Sequence, residues 1–477
     1  MSKNEIYIIN DNNAFLPGSG TAVTTFREGE ADTGFLEDRK FTAKRIAPAS
    51  GSCTRGEVEF VPFGPDDDTP LKVMERIHKN TIVGSNIDFK VNMAFGDGLA
   101  VYRRERDERG ETRLVEQLPK DQPDVFRFLE RSNYDRLMQE VANDLVVFGD
   151  SFVRLVMSRG TNGGEPAIAL ALHREMCFSR VSKQDEQSRR IAYHGYSSKW
   201  SEMPSPDDVI VTPLLERANP LYDLLVRIGK EIDPESGERR ADKQSGYVLS
   251  LNLPCPGRFY YNRPYWWSIF LDWYEFSCAI PRFKKALLKN QMVLKYHVSI
   301  NERFWEKLYA SENVTKEDKK KREELKRKFL QNLNDFLSGE ENAGKSFVSH
   351  FRYDQVNKYE ESDIQIKPIE SFIKGGEYIE DSEEATNMIC NTMAVHPSLK
   401  GASPGKSKNI NGTEARELFI IAQALFKPIR SLMVQPLYIA KAVNGWPEEL
   451  EFAVKSVMLT TLDQGTGSVK SIGNEEI

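Results

Sequence analysis

Three of the six tryptophans of this chain fall within eight consecutive positions, in the segment GRFYYNRPYWWSIFLDWYEFSCAIPRFKKALLKNQ. Trp266, Ile269, Phe270, Trp273, Ser277 and Ile280 recur there at the i, i+3, i+4, i+7 spacing of one helical face. A face with that much aromatic surface must be covered, either by the chain's own core or by another copy. Core packing is the ordinary outcome and a subunit contact the alternative. Pro264 suits the position just before the first turn. Pro281 is expected to kink or interrupt the helix, and Lys284, Lys285 and Lys289 suit its C-terminal end.

The rest of the chain has to supply cores for this and other helices. Its 477 residues amount to roughly three domains. With 40% apolar residues it can bury them, and it is not a disordered chain. No apolar run approaches the ~18–20 residues that span a bilayer, and MSKNEIYIIND lacks the apolar core of a secretory signal. These features predict a soluble protein, without a membrane partner, that stays where it is made. A net charge of −6 excludes a strongly basic protein that wraps DNA, though not local basic patches. Cys53, Cys177, Cys255, Cys278 and Cys390 are odd in number, far apart and without a CxxC pair. They predict neither a zinc site nor a disulfide framework.

Periodicity predicts a mixed α+β chain. Residues 1–70 read as a loop-rich arm with a few short strands. LKVMERIHKNTIVGSNIDFKVNMAF reads as helix broken near Gly84. A firmer helix begins after Ser132, with Leu137, Val141, Leu145 and Phe148 on one face and Gly149 at its C-terminal cap. SFVRLVM, AIALALH, IAYHGYSS and DVIVTPLL read as strands, the first two joined by the turn TNGGEP. Strand MVLKYHVSI precedes a charged helix opened by a capping box from Thr315 to Asp318. FVSHFRYD and IQIKPI follow as strands. The last helix starts near Asn411 and carries Leu418, Ile421, Leu425, Ile429 and Leu432 on one face, bent by Pro428 and Pro436. LEFAVKSVML reads as a final strand.

Chemistry is harder to place. Gly339 to Ser346 (GEENAGKS) fits the phosphate-loop expression G-x-x-x-x-G-K-[ST]. A working phosphate loop needs a strand before it and a helix after it; here a charged helix precedes and a strand follows. The ordinary reading is a helix stop and a turn. Gly405-Lys406-Ser407 fails on spacing, and Pro404 removes an N–H the loop would need. What survives is a Gly/Pro loop carrying Lys400, Lys406 and Lys408 and no acidic residue, downstream of the acidic stretch Glu377, Glu380, Asp381, Glu383 and Glu384. The six histidines show no metal-ligand spacing. No nucleophile, acid–base or kinase signature is present. The expectation is a protein that is not an enzyme and carries no cofactor or metal.

The order of segments resembles that of tailed-bacteriophage portal proteins, the head–tail connectors. Four stretches carry the resemblance. NDLVVFGDSFVRLVM is similar to the family's helix–Gly–strand pattern in the wing domain. The aromatic helix running into QMVLKYHVSIN resembles the first stem helix entering the clip. SGEENAGKSFVSHF is similar to the turn between clip helix and strand. SEEATNMICNTMAVHPSLKG, followed by NGTEARELFIIAQALFKPIRSLM, resembles the second stem helix, a proline turn, a loop and a long kinked helix. Val395-His396-Pro397 departs slightly from the family's turn.

The resemblance implies an N-terminal arm over 1–69, a wing over 70–262, a first stem helix over 263–290 and a clip over 291–370. A second stem helix would span 371–394, a channel loop 395–412, a kinked helix 413–443 and a strand returning to the wing with a polar tail 444–477. A crown would be short or absent. It further implies a ring, of twelve copies in the family, at one capsid vertex of the virion, assembled in a bacterial cytoplasm. The ring would pass double-stranded DNA without reading its sequence, dock the terminase large subunit and head–tail adaptors, and contact the major capsid or scaffolding protein. Lys400, Lys406 and Lys408 would meet the DNA phosphates as a collar. Trp305, Lys319, Lys320 and Arg322 would form the docking face of the clip. Trp266, Trp267 and Trp273 would pack between neighbouring stem helices. A channel must let DNA slide, and affinity climbs steeply with each phosphate neutralised, so a weakly acidic chain with isolated lysines suits one. The rivals are a nucleotide hydrolase using Gly339–Ser346 and a neck adaptor that is not a portal.

Overall fold

The computed structural model describes residues 7–10, 13–16, 21–24, 44–46, 58–106, 111–159, 164–186, 189–202, 204–234, 236–239, 241–242, 244–291, 296–315, 318–338, 351–354, 359–368, 378–400 and 412–455. The chain divides into two compact units, Met1–Ala279 with Tyr378–Ile477, and Ile280–Glu377.

The first unit opens with the antiparallel meander β1 (Tyr7–Asn10), β2 (Asn13–Leu16) and β3 (Thr21–Thr24), and with β4 (Lys44–Ile46) paired to β5 (Val58–Phe60). Helices α1 (Thr69–Lys79) and α2 (Thr81–Phe95) follow. The expected break at Gly84 lies instead at Asn80. The Asn80 side-chain oxygen accepts from the backbone N–H of Ile82 (3.0 Å) and Val83 (3.1 Å), satisfying donors that the first turn of α2 leaves orphaned. Gly84 stays inside α2, where a glycine costs only about 1 kcal/mol.

Strands β6 (Leu99–Arg106) and β7 (Thr112–Glu116) lead to α3 (Pro123–Ser132) and α4 (Tyr134–Phe148). Helix α4 is apolar on more than one side: Leu137, Met138, Val141, Ala142 and the run Leu145–Phe148 are all buried. A helix of that pattern belongs at the centre of a unit, and α4 packs against α2. It ends at Gly149, whose φ of 76° is left-handed and where a Cβ would lie 3.3 Å from that of Asn262. Strands β8 (Asp150–Arg159) and β9 (Pro166–Arg174) follow as an antiparallel pair, then β10 (Ser179–Val181), β11 (Tyr193–Tyr196), β12 (Ile210–Pro213), helix α5 (Pro220–Arg227) and β13 (Gly246–Asn252). The sheets run β13-β8-β9 and β10-β11-β12. The strands expected at SFVRLVM, AIALALH, IAYHGYSS and DVIVTPLL are therefore present as β8, β9, β11 and β12.

His194 on β11 is buried against Phe152, ring centroids 4.8 Å apart, and its Nε2 has no hydrogen-bond partner among the described residues. Burial, reinforced by the charges of Arg174 and Arg154, pushes its pKa down to about 3. The folded chain thus resists a proton that the unfolded chain accepts near pH 6.5. Stability from this group is complete above pH 6.5 and is lost as pH falls towards 3. His194→Phe is expected to lose about 2 kcal/mol less stability than the native chain between pH 7 and pH 5. Asp150, whose pKa burial raises to about 6, works in the opposite direction, but both chains share it. Urea unfolding midpoints at the two pH values measure the difference; equal losses would show that His194 is not the group responsible.

A 3₁₀ turn over Tyr265–Phe270 precedes α6 (Trp273–Gln291), which runs through Pro281 without the expected interruption. The second unit then holds β14 (Tyr296–Ile300), α7 (Glu302–Ser311), α8 (Lys319–Ser338), β15 (Phe351–Asp354), β16 (Tyr359–Ser362) and β17 (Ile364–Pro368). Strands β14 and β17 pair antiparallel, as do β15 and β16. Helix α7 and strand β16 are additional to the elements expected from the sequence. Back in the first unit come α9 (Ile379–Thr392), α10 (Gly412–Leu425), α11 (Lys427–Asn444) and β18 (Leu450–Val454). The expected single bent helix is two, separated at Phe426, because Pro428 cannot donate to the preceding turn. Pro436 lies within α11. Strand β18 completes the sheet β18-β6-β7, with Leu450 opposite Arg103 and Val454 opposite Leu99.

Candidate functional site

The residues singled out by sequence fall in three places. The first is the entry to α6. An α-helix leaves its last four carbonyls without intrahelical partners. In α4, Leu145 O accepts from Gly149 N (3.0 Å), and the next two carbonyls are taken by indoles: Trp266 Nε1 donates to Val146 O (3.0 Å) and Trp267 Nε1 to Val147 O (2.9 Å). Trp266 is 5% exposed and Trp267 2%. Trp267 also meets Phe148 edge-on and stacks on Phe63. These two tryptophans are therefore core residues of the protomer. The expectation that they lie between copies is corrected by their burial, which leaves no surface for a neighbour. Trp273 is half-buried. Next to this anchor, Asp150 accepts from Asn262 N and Asn252 Nδ2 (both 2.6 Å), and Asn262 Nδ2 donates to Leu253 O (2.6 Å). The segment leading into α6 is pinned by side chains as well as by packing.

The second place is the end of α9. Among the three collar lysines only Lys400 is among the described residues; Lys406 and Lys408 lie outside them. Lys400 Nζ donates to Ser85 Oγ and to Asn86 Oδ1, both at 2.5 Å, on α2. Asn86 is fully buried and its Nδ2 faces Cys390 Sγ and Met393 Sδ. Burial lowers the Lys400 pKa, opposed by Cys390 and Asp88. Lys400 is thus tied to its own protomer just after α9. On α9, Glu380 and Glu384 are exposed, while Asp381 and Glu383 are half-buried. Beyond the loop, α10 does not bury the expected face. Of that face Ile421 and Leu425 point to solvent, Leu418 and Leu432 are half-buried and Ile429 on α11 is buried, while the buried stripe runs through Ala422, Phe426, Ile429 and Met433.

The third place is the second unit. Trp305 on α7 is half-buried against Phe304 (5.5 Å) and Phe329 of α8 (5.6 Å), and Lys326 lies 5.3 Å above its ring. Arg322 lies over Tyr309 at 4.6 Å. Both residues hold α7 to α8. Lys319 and Lys320 are exposed and make the outward cationic surface of that helix. Residues 339–346, the phosphate-loop match, lie outside the described residues.

No family model and no curated protein matches the sequence. Solved structures do match the fold. A chain of the virion of a native gene transfer agent particle superposes with a TM-score of 0.50 at 12% identity, over 83% of this chain and 85% of that one. A chain from the neck of the native particle, computed with C12 symmetry, gives 0.50 at 13% identity over the same shares. The chain has the fold of a gene transfer agent neck chain.

Several parts of this neck fold escaped the sequence reading. Asn80 had a signal: it precedes Thr81 as a capping residue would, and its amide donates to Ser277 Oγ at 2.6 Å. Asn86 had none, because its role depends on Lys400, 314 positions away. The boundary between α10 and α11 had a signal in Pro428, which sets where the first helix must end.

Proposed function

We propose that the chain is a portal-type connector of a phage-like virion. Copies form a ring at one capsid vertex, conduct double-stranded DNA without reading its sequence, and present a docking platform to a terminase motor and to head–tail adaptors. The observation that carries this reading is the neck fold, extending over more than four-fifths of the chain. It is supported by the chain's division of labour: a first unit built from both ends of the sequence, and a smaller second unit inserted between α6 and α9. Lys319 and Lys320, exposed on α8, suit a docking face for acidic partner surfaces. Lys400 anchors the root of the channel loop, and Lys406 and Lys408 are the members of the collar left to meet phosphates. Each isolated cation adds a weak, sequence-independent contact, which favours sliding over capture. The connector works without turnover of its own. Electron micrographs of the purified protein, alone and with capsid components, are expected to show rings with a central hole, in preparations that do not hydrolyse ATP. Solitary particles in both preparations would overturn the proposal.

A further inference from the structure

Two patches of exposed apolar surface remain on the first unit. One lies on α10, where Ile420, Ile421 and Leu425 are 55%, 56% and 60% exposed. The other lies at the start of α6, where Leu271 and Phe276 are 47% and 41% exposed. Single exposed apolar side chains are ordinary, but helical clusters of them mark interaction surfaces. Each patch is a stripe rather than a scatter. On α6 and the turn before it, Asp272, Glu275, Phe276 and Ala279 recur at i, i+3, i+4, i+7 and are all exposed. On α10, Glu417, Ile420, Ile421 and Ala424 do the same.

Their charges differ in sign. From Leu271 to Ala279 the α6 stripe carries Asp272 and Glu275, with Arg76 of α1 3.7 Å from Glu275 and exposed Arg282 one turn beyond Ala279. The α10 stripe is framed by exposed Arg416 and Lys427, against a single carboxylate at Glu417. Against a copy of itself, either stripe would set like charges together. Against each other, they match apolar centre to apolar centre and acid to base. Two different, complementary patches on one compact unit are the requirement for a head-to-tail contact, and a head-to-tail contact closes into a ring where its rotation divides the full circle.

The geometry points to a seam in which the α6 stripe of one copy (Leu271, Asp272, Glu275, Phe276) seats on the α10 stripe of the next (Arg416, Ile420, Ile421, Leu425, Lys427). The occupant is a second copy of this chain. The inference rests on the ring reading above and locates its contact. It also replaces the buried Trp266 and Trp267 with residues that can reach a neighbour.

The test uses the full-length chain and native mass spectrometry with light scattering. Leu425→Asp places a charge in the centre of the seam at a residue 60% exposed in the protomer. It is expected to reduce the assembly to the 54.5 kDa single chain, with an unchanged circular dichroism spectrum. Asp272→Lys should likewise weaken assembly, and Asp272→Lys combined with Lys427→Asp should restore most of the assembled mass. If the native chain forms rings and Leu425→Asp leaves their mass unchanged, the seam is wrong while the ring stands. A double variant no better than Asp272→Lys alone would overturn the pairing of the two stripes. If the native chain never exceeds one copy, alone or with capsid components, both the ring and the seam fall.

Discussion

Trp267→Ala is expected to cost about 3–5 kcal/mol, a large share of what a unit of this kind has to lose. The loss has two sources. An indole that is 2% exposed leaves a cavity beside Phe63 and Phe148, since the surrounding structure relaxes only partly. Val147 O also loses the donor at 2.9 Å and becomes a buried, unsatisfied carbonyl at the end of α4. Trp267→Phe separates them: most of the volume stays and the donor goes, so roughly 1–3 kcal/mol of the cost should remain. Urea unfolding of the two variants measures both. A Trp267→Phe chain as stable as the native one would show that the indole N–H contributes nothing to capping α4.

The second large effect concerns a buried ion pair. Arg180 on β10 and Asp67, in the turn before α1, have side chains 1% and 2% exposed and are directly paired. Arg180 also donates to Asp67 O (2.7 Å) and Ser179 O (2.7 Å), and Asp67 Oδ1 accepts from Phe63 N (2.7 Å). Its guanidinium lies 5.6 Å from the Trp200 ring. Removing one partner of such a pair strands a charge away from water, whereas removing both does not. Asp67→Ala is therefore expected to destabilise by about 3–5 kcal/mol, and Asp67→Ala with Arg180→Met to recover a substantial part of it. A double variant as unstable as the sum of the two single ones would show that the two residues act independently.

What the sequence made legible was local. Leu137, Val141, Leu145 and Gly149 marked α4 and its end because four-residue spacing and a left-handed cap are properties of neighbouring residues. The alternation in SFVRLVM and AIALALH marked β8 and β9 for the same reason. The fate of Trp266 and Trp267 was not legible, since it turns on two carbonyls 120 positions upstream. A stripe of aromatic residues says that it will be covered and not by what. Helix α7 was hidden for another reason: it is only ten residues long, and its apolar face, Phe304, Trp305 and Leu308, spans little more than one turn. Lys400 was legible as a cation, but its tether to Ser85 and Asn86 required the fold.

The pairing of β18 with β6 has a consequence for biosynthesis. The two strands are about 350 positions apart, bridged again by the ion pair of Arg104 with Glu451. Until residues 450–454 have left the ribosome, β6 keeps a bare edge, and its sheet has only two of its three strands. A chain that stops early cannot repair that edge. A chain cut before Leu450 is thereby marked by the unpaired edge of β6, and the order in which the strands are made becomes a check on the sheet.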